Sequence, residues 1–188
     1  MPSKSDLPVL ARELSVPERT LRRAVARGTV RSHRSAPRQF EMPAGEREYL
    51  REHWPLLSDI TAVLRTERNV RLAVVFGSVA RGSTHDESDV DILVSVAADR
   101  RLYLMRLAAR LESVLDREVD VLSLERLRAQ EPRMLGSVLQ EGRPLIDRDG
   151  QWSALQRQLP SIKAAGARTA AARHRRASAA VAELTGER

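Results

Sequence analysis

The spacing of apolar and polar positions changes character along the chain. Near the start, Leu7, Leu10, Ala11 and Leu14 recur at helical spacing. Leu21, Ala24 and Val25 do so again after an interruption at Ser15-Val16-Pro17. Two short helices are therefore predicted within 6–27. The second runs from Glu18 to Arg27, with Ser15 as its N-cap, Pro17 in its first turn and Gly28 as its stop. TVRSHR and RQFEMP then read as a short hairpin or wing around Ala36-Pro37. Residues 46–69 read as a connecting helix or helix pair broken near Pro55. Strands are predicted at 71–76, 89–96 and 118–122, with a turn and short helix at 77–82 and a polar loop at 83–88 between the first two. Leu104, Ala108, Leu111 and Leu115, at 4-3-4 spacing, place a helix over about 99–116. Residues 124–140 look helical, and Pro144-Leu145-Ile146 reads as a last edge strand. From 151 an Ala- and Arg-rich helical tail follows, without an apolar face after Ile162. The fold class is α/β (α+β): a small mixed sheet with helices, preceded by a small helical unit and followed by a helical tail. The units expected are 1–45, a connecting helix at 46–69, a central domain at 70–150 and the tail at 151–188.

Composition narrows the chemistry. Hydrophobic residues make up 42% of the chain, enough for a core, but aromatics only 3%, so Leu, Val, Ile and Ala must fill it. The absence of cysteine excludes a disulfide framework and Cys-ligated zinc. MPSKSDLPVLARELS has no apolar run of signal-peptide length, and no stretch reaches the roughly 20 apolar residues of a membrane span. A soluble cytoplasmic protein with no membrane partner is expected. The net charge of +7 is uneven: nine basic against four acidic residues in 1–45, sixteen against nineteen in 46–150, and seven against two in 151–188. Basic ends around a mildly acidic middle suit nucleic acid or an acidic partner. For the tail, a merely solubilising Arg-rich surface explains the charge equally well.

The central run VVFGSVARGSTHDESDVDILV carries the chemistry. Strand side chains alternate faces, so Val90, Ile92 and Val94 can fill a core while Asp89 and Asp91 share the opposite face, roughly 7 Å apart at Cα. Two such carboxylates oppose each other's ionisation unless a cation joins them. Mg²⁺ takes hard oxygen ligands of this kind, one or two carboxylates together with substrate phosphates. Asp120, in REVDVLSL, can supply a third carboxylate if its strand neighbours 89–95; Asp116, expected to end the preceding helix, and Glu118 are rivals. At the strand-to-helix turn, Gly77 lets backbone approach a phosphate, the N–H groups that follow favour an anion, and the Ser78 hydroxyl can bind a phosphate oxygen. Arg81 can add positive charge there or pair with Asp86 or Glu87.

GSVARGSTHDESDVDILV resembles the signature of the DNA polymerase β-type nucleotidyltransferase superfamily, most closely its minimal, MNT-type bacterial branch. The resemblance covers about residues 70–148 and is strongest over 76–94. It implies the small mixed-sheet nucleotidyltransferase fold. It also implies that Gly77, Ser78 and Arg81 hold the nucleotide, with ATP as substrate. Asp89, Asp91 and Asp120 become the catalytic and metal-binding residues for two Mg²⁺ ions, and Asp120 helps deprotonate an acceptor hydroxyl. The implied reaction is attack of that hydroxyl on the α-phosphate with loss of pyrophosphate. Relatives in this branch are often antitoxins that transfer AMP to a tyrosine of a HEPN-type toxin, so such a toxin is the partner expected.

LARELSVPERTLRRAVARGTV resembles a bacterial helix-turn-helix, and the segment after it suggests a winged variant. That resemblance implies DNA contact through Arg19, Thr20, Arg22, Arg23 and Arg27. The plainer reading is a packing module whose arginines are a solvated face. Two alternatives to protein modification stay open. One is a DNA-binding regulator whose nucleotidyltransferase fold senses nucleotide. The other is an aminoglycoside-like enzyme with a small-molecule acceptor, although an acid-poor tail is a poor source for an acidic pocket. His53 is expected to be exposed beside a packed Trp54. His85 is read as a solvated loop residue near the site, and Tyr103 as a helix-surface or core residue that self-modification could use. A homo-oligomer is left open.

Overall fold

The computed structural model describes residues 7–36, 39–83, 88–97 and 101–185. The chain opens with α1 (Leu7–Glu13), α2 (Glu18–Arg27), a hairpin of β1 (His33–Ala36) and β2 (Gln39–Glu41), and α3 (Glu46–Thr66). Then follow β3 (Val70–Phe76), α4 (Gly77–Arg81), β4 (Val90–Val96), α5 (Arg101–Leu115) and β5 (Val119–Ser123). The last elements are α6 (Leu124–Gln130), α7 (Pro132–Glu141), β6 (Arg143–Asp147) and α8 (Gln151–Thr185). Four strands form one mixed sheet in the order β5-β4-β3-β6. β3 runs antiparallel to both β4 and β6, while β4 and β5 are parallel and joined through α5. Among the described residues, no helix is long and apolar enough to cross a membrane.

Alternation along the strands feeds two cores. Ala73, Val75, Ile92 and Val94 face a cluster completed by Ile60 and Leu64 of α3 and Leu107 and Leu111 of α5. The same cluster extends to Leu7, Leu10 and Leu21, so the N-terminal helices share their core with the sheet. Leu72, Val74, Phe76 and Leu93 face the other way, onto Leu135, Leu139, Trp152 and Leu155 of α7 and α8. The sheet is thus covered on both faces.

The predicted elements are present, with local corrections. α3 is one helix through Pro55 rather than a broken pair. Pro55 is exposed, so the backbone hydrogen bond it forfeits opens towards water. Ser15 does not cap α2: it has φ +53° and helps to close α1, and Pro17 occupies the cap position without a side-chain bond. Residues 124–140 divide into α6 and α7 at Glu131-Pro132, because the residue before a proline is driven out of the helical region. His53 is only 4% exposed, stacked on the Tyr49 ring at 4.5 Å, where an exposed side chain was expected. Trp54 packs as predicted, and Gly28 ends α2 in the left-handed region.

One buried ion pair joins the N-terminal unit to the sheet. Arg143 of β6 is 1% exposed and donates to both Glu46 carboxylate oxygens, at 2.6 and 2.9 Å. It also donates to the carbonyls of Thr29 and Ala80, each at 3.0 Å, and lies 3.5 Å above the Tyr49 ring. Around it, Arg27 donates to Leu145 O at 2.7 Å, the Thr29 hydroxyl to Pro144 O, and the Arg31 amide to Glu46 at 2.9 Å. Removing one partner of such a pair strands a buried charge. Glu46→Ala is expected to cost about 3–5 kcal/mol in urea denaturation, and Arg143→Met combined with Glu46→Leu to recover part of that loss.

Candidate active site

The site begins where β3 stops. Phe76 is extended, Gly77 turns to φ +69°, and α4 follows immediately. A Cβ at Gly77 would collide with Asp91 Oδ2 and stand 3.2 Å from its Cγ, so only glycine allows this turn to lie against the carboxylate. Buried Val79 and Ala80 anchor the helix, while Ser78 is half-buried. Gly82 closes α4 at φ +75°, 2.9 Å from a Tyr49 ring carbon for any Cβ placed there. The carbonyl of Ala80 accepts from Arg143 Nε at 3.0 Å and from Arg31 Nη2 at 3.4 Å. Side chains from outside the loop thereby pin its backbone.

The strand register gathers the carboxylates. Asp91 lies opposite Phe76 on β3 and opposite Asp120 on β5, the neighbour relation the sequence pattern required. Asp89 stands just before β4 and is exposed, as is Asp120. Half-buried Asp91 has its pKa raised, first by burial and then by the negative charges of Asp120 and Asp89. Glu141 adds to the rise, and Arg81 opposes it. Arg81 donates to Glu141 at 3.0 Å; Asp86, Glu87 and the neighbouring His85 lie outside the described residues. Asp116 ends α5 at φ +52°, and Glu118 precedes β5, its carbonyl accepting from Val90 N at 2.9 Å. Beside Asp89 and Asp120 opens a cleft of about 530 Å³ that Glu112, Asp116 and Glu118 make acidic.

Burial and the nearby charges of Asp120 and Asp89 favour the proton on Asp91, which marks a local shortage of positive charge, and carboxylate oxygens suit a hard divalent cation. Among the described residues, no three histidine, aspartate or glutamate side chains stand close enough together to hold a metal ion. Tyr103 is half-buried and donates to Glu67 at 2.9 Å; burial and this bond push its phenol up to about 12. On α2, Arg19, Thr20, Arg23 and Arg27 line a groove against α3, whereas Arg22 pairs with Glu18 at 2.7 Å. The supporting residues that sequence reading missed are Glu46, Arg31, Glu141 and Arg143. Arg143 stands at the start of the strand RPLID, at the edge of its apolar run, a weaker signal than the one that exposed Asp91.

Residues 58–151, half of the chain, match the family described as polymerase beta, nucleotidyltransferase. The chain belongs to this family. A protein of Methanocaldococcus jannaschii, provisionally named a protein adenylyltransferase, is 45% identical over 58 residues, which are 30% of this chain and 62% of that one. The chain thus spans less than two thirds of that relative's length. The fold is also similar to a chain in a crystal structure of a toxin–antitoxin with AMP-PNP (22% identity, 69% of this chain and 98% of that chain, TM-score 0.46). A third similarity is to a chain in the Shewanella oneidensis complex of tri-AMPylated HEPN toxin with MNT antitoxin (20% identity, 71% and 98%, TM-score 0.45).

The raised pKa of Asp91 gives a signed prediction. Its carboxylate loses stability on folding, so the native state is favoured below the carboxyl's unfolded pKa and gives up that advantage as pH rises through the folded value. Asp91→Asn is expected to raise the metal-free melting temperature at pH 7 and to lose that gain by about pH 3. Thermal melts at both pH values in EDTA check this; an equal or greater gain at pH 3 contradicts it.

Proposed function

We propose that this nucleotidyltransferase moves AMP from ATP to a hydroxyl on a partner protein in the cytoplasm, as the antitoxin of a toxin–antitoxin pair with a HEPN-type toxin. The observation that carries the reading is the seating of the Gly77 turn on Asp91, with Asp120 in register beside it. That arrangement sets the start of α4, read here as the phosphate-binding backbone, beside Asp91 and Asp120 at one end of the sheet. The relative named for protein adenylylation supports a protein acceptor. The toxin partner rests on the sequence resemblance.

In this reading the backbone after Gly77 and the Ser78 hydroxyl hold the triphosphate, and Arg81 neutralises part of its charge. Asp89, Asp91 and Asp120 would hold divalent cations, two Mg²⁺ by the resemblance, which supply charge neutralisation at the phosphates and acidify the acceptor hydroxyl when bound. Asp120 takes the proton as the acceptor oxygen bonds to the α-phosphorus, and the bond to the pyrophosphate oxygen breaks. Catalysis is mainly positioning and electrostatic. DNA contact through Arg19, Thr20, Arg22, Arg23 and Arg27 belongs to the same reading and is supported by the basic balance of residues 1–45.

The acidic cleft favours one second reading, a small cationic acceptor. Its carboxylates come from the α5–β5 connection, so an acid-poor tail does not prevent an acidic pocket. The test is labelling by α-³²P-ATP with Mg²⁺ in a host lysate. Wild-type protein is expected to label a protein band at least about 100-fold more strongly than Asp89→Ala/Asp91→Ala. Gly77→Ala, with every carboxylate intact, is expected to fail comparably. Label confined to a polyamine or aminoglycoside selects the second reading. No transfer with any of the four nucleotides overturns both and leaves the DNA-binding regulator.

A further inference from the structure

The arginines of α2 have a different neighbourhood from the one a free recognition helix would give them. Arg19, Arg23 and Arg27 line a groove of about 290 Å³ whose opposite wall includes Arg65 of α3. Four guanidinium groups meet there, and the lining holds no carboxylate. Among the described residues, Arg19, Arg23 and Arg65 make no ion pair, whereas the nearby exposed arginines Arg22, Arg47 and Arg51 are all salt-bridged. Arg27 is fixed by its bond to Leu145 O, and its pKa is lowered by burial first and by Arg65 next. Asp147 partly offsets this, but its two oxygens already accept from the Gln151 and Trp152 amides at 2.9 and 3.3 Å.

Like charges held in a cleft between low-dielectric walls focus a positive potential. The groove is also lined by the hydroxyl residues Thr20 and Ser58, whose side chains make no hydrogen bond among the described residues. Trp54, another lining residue, is 8% exposed, and its indole N–H has no hydrogen-bond partner among the described residues. An unsatisfied buried donor beside a groove is the kind of group an ordered water completes. The volume is near the lower end of ligand pockets, about 300 Å³, which suits a compact anion rather than a whole nucleoside triphosphate. Four arginines exceed what one carboxylate can neutralise. Phosphate, multiply charged and matched to the guanidinium fork, is the anion that meets this count.

We propose that the α2–α3 groove is a phosphate-binding site, sharing no lining residue with the Gly77 turn, whose natural occupant is a phosphorylated ligand or a nucleic-acid backbone. It stands whether or not nucleotidyl transfer is observed.

The test uses the full chain in EDTA, so that cations at the carboxylates contribute nothing. In a Trp152→Phe background Trp54 is the sole tryptophan of the two in the sequence and reports the groove by fluorescence. Inorganic pyrophosphate is titrated in, with calorimetry alongside on the unaltered chain. The expected result is a saturable change that weakens at least about tenfold in Arg23→Ala and in Arg65→Ala, less in Arg65→Lys, and persists in Ser78→Ala. A short mixed-sequence DNA duplex forms the second arm. Arginine-dependent duplex binding that pyrophosphate displaces identifies the backbone as the source; pyrophosphate binding alone identifies a free phosphorylated ligand. No binding of either by a folded protein overturns the proposal, as does binding that ignores Arg23 and Arg65 but disappears in Ser78→Ala.

Discussion

The Arg143–Glu46 pair is the contact on which the remaining geometry depends. Both side chains are buried, and desolvating them is costly unless every donor finds an acceptor. The guanidinium meets that condition with a carboxylate, two backbone carbonyls and an aromatic face. Those contacts come from three parts of the chain: Glu46 and Tyr49 at the start of α3, the turn after α2 and the end of α4. A single side chain thereby sets the relative positions of the N-terminal helices, the edge strand and the turn that lies on Asp91. Loop position at the active site is consequently a property of the whole N-terminal half and not of the local motif.

Much of this was legible in the sequence where a signal was local. The strand alternation around Asp89 and Asp91 placed them on one face, and Asp120 then followed from the same period. The pairing of distant residues left no such trace: Glu46 and Arg143 are 97 positions apart, and Glu46 sits among charged neighbours, so nothing local pointed to its partner. His53 shows the same limit. Its burial depends on the ring of Tyr49 beneath it and not on anything in His-Trp-Pro. Pro55 misleads in the other direction, because a proline breaks a helix only when the surroundings cannot tolerate the missing bond, and on the solvent face they can. In the candidate site, the neighbour relation of Asp91 and Asp120 was evident from periodicity, while Glu141 was hidden because its place near Asp91 is set by where α7 happens to end.

The two-sided sheet explains how a charged site coexists with a buried strand. Asp91 shares its face with Leu93, which is fully buried against the α6–α8 layer. The carboxylate lies near the start of β4, against the Gly77 turn. The apolar core therefore supplies the rigidity, and its margin supplies the chemistry. The cost is visible in the raised pKa of Asp91: the fold holds like charges together that would separate in a flexible chain.

The Gly77–Asp91 contact has an evolutionary corollary. One methyl group at Gly77 strains a backbone held at φ +69° and forces the turn and the Asp91 carboxylate apart, and no acidic residue need change. A lineage can thus retire this site and still display every acidic residue of the signature. Under the proposed function, a census of aspartates among relatives would count such a copy as living, and the residue that tells the two apart is the one that has no side chain at all.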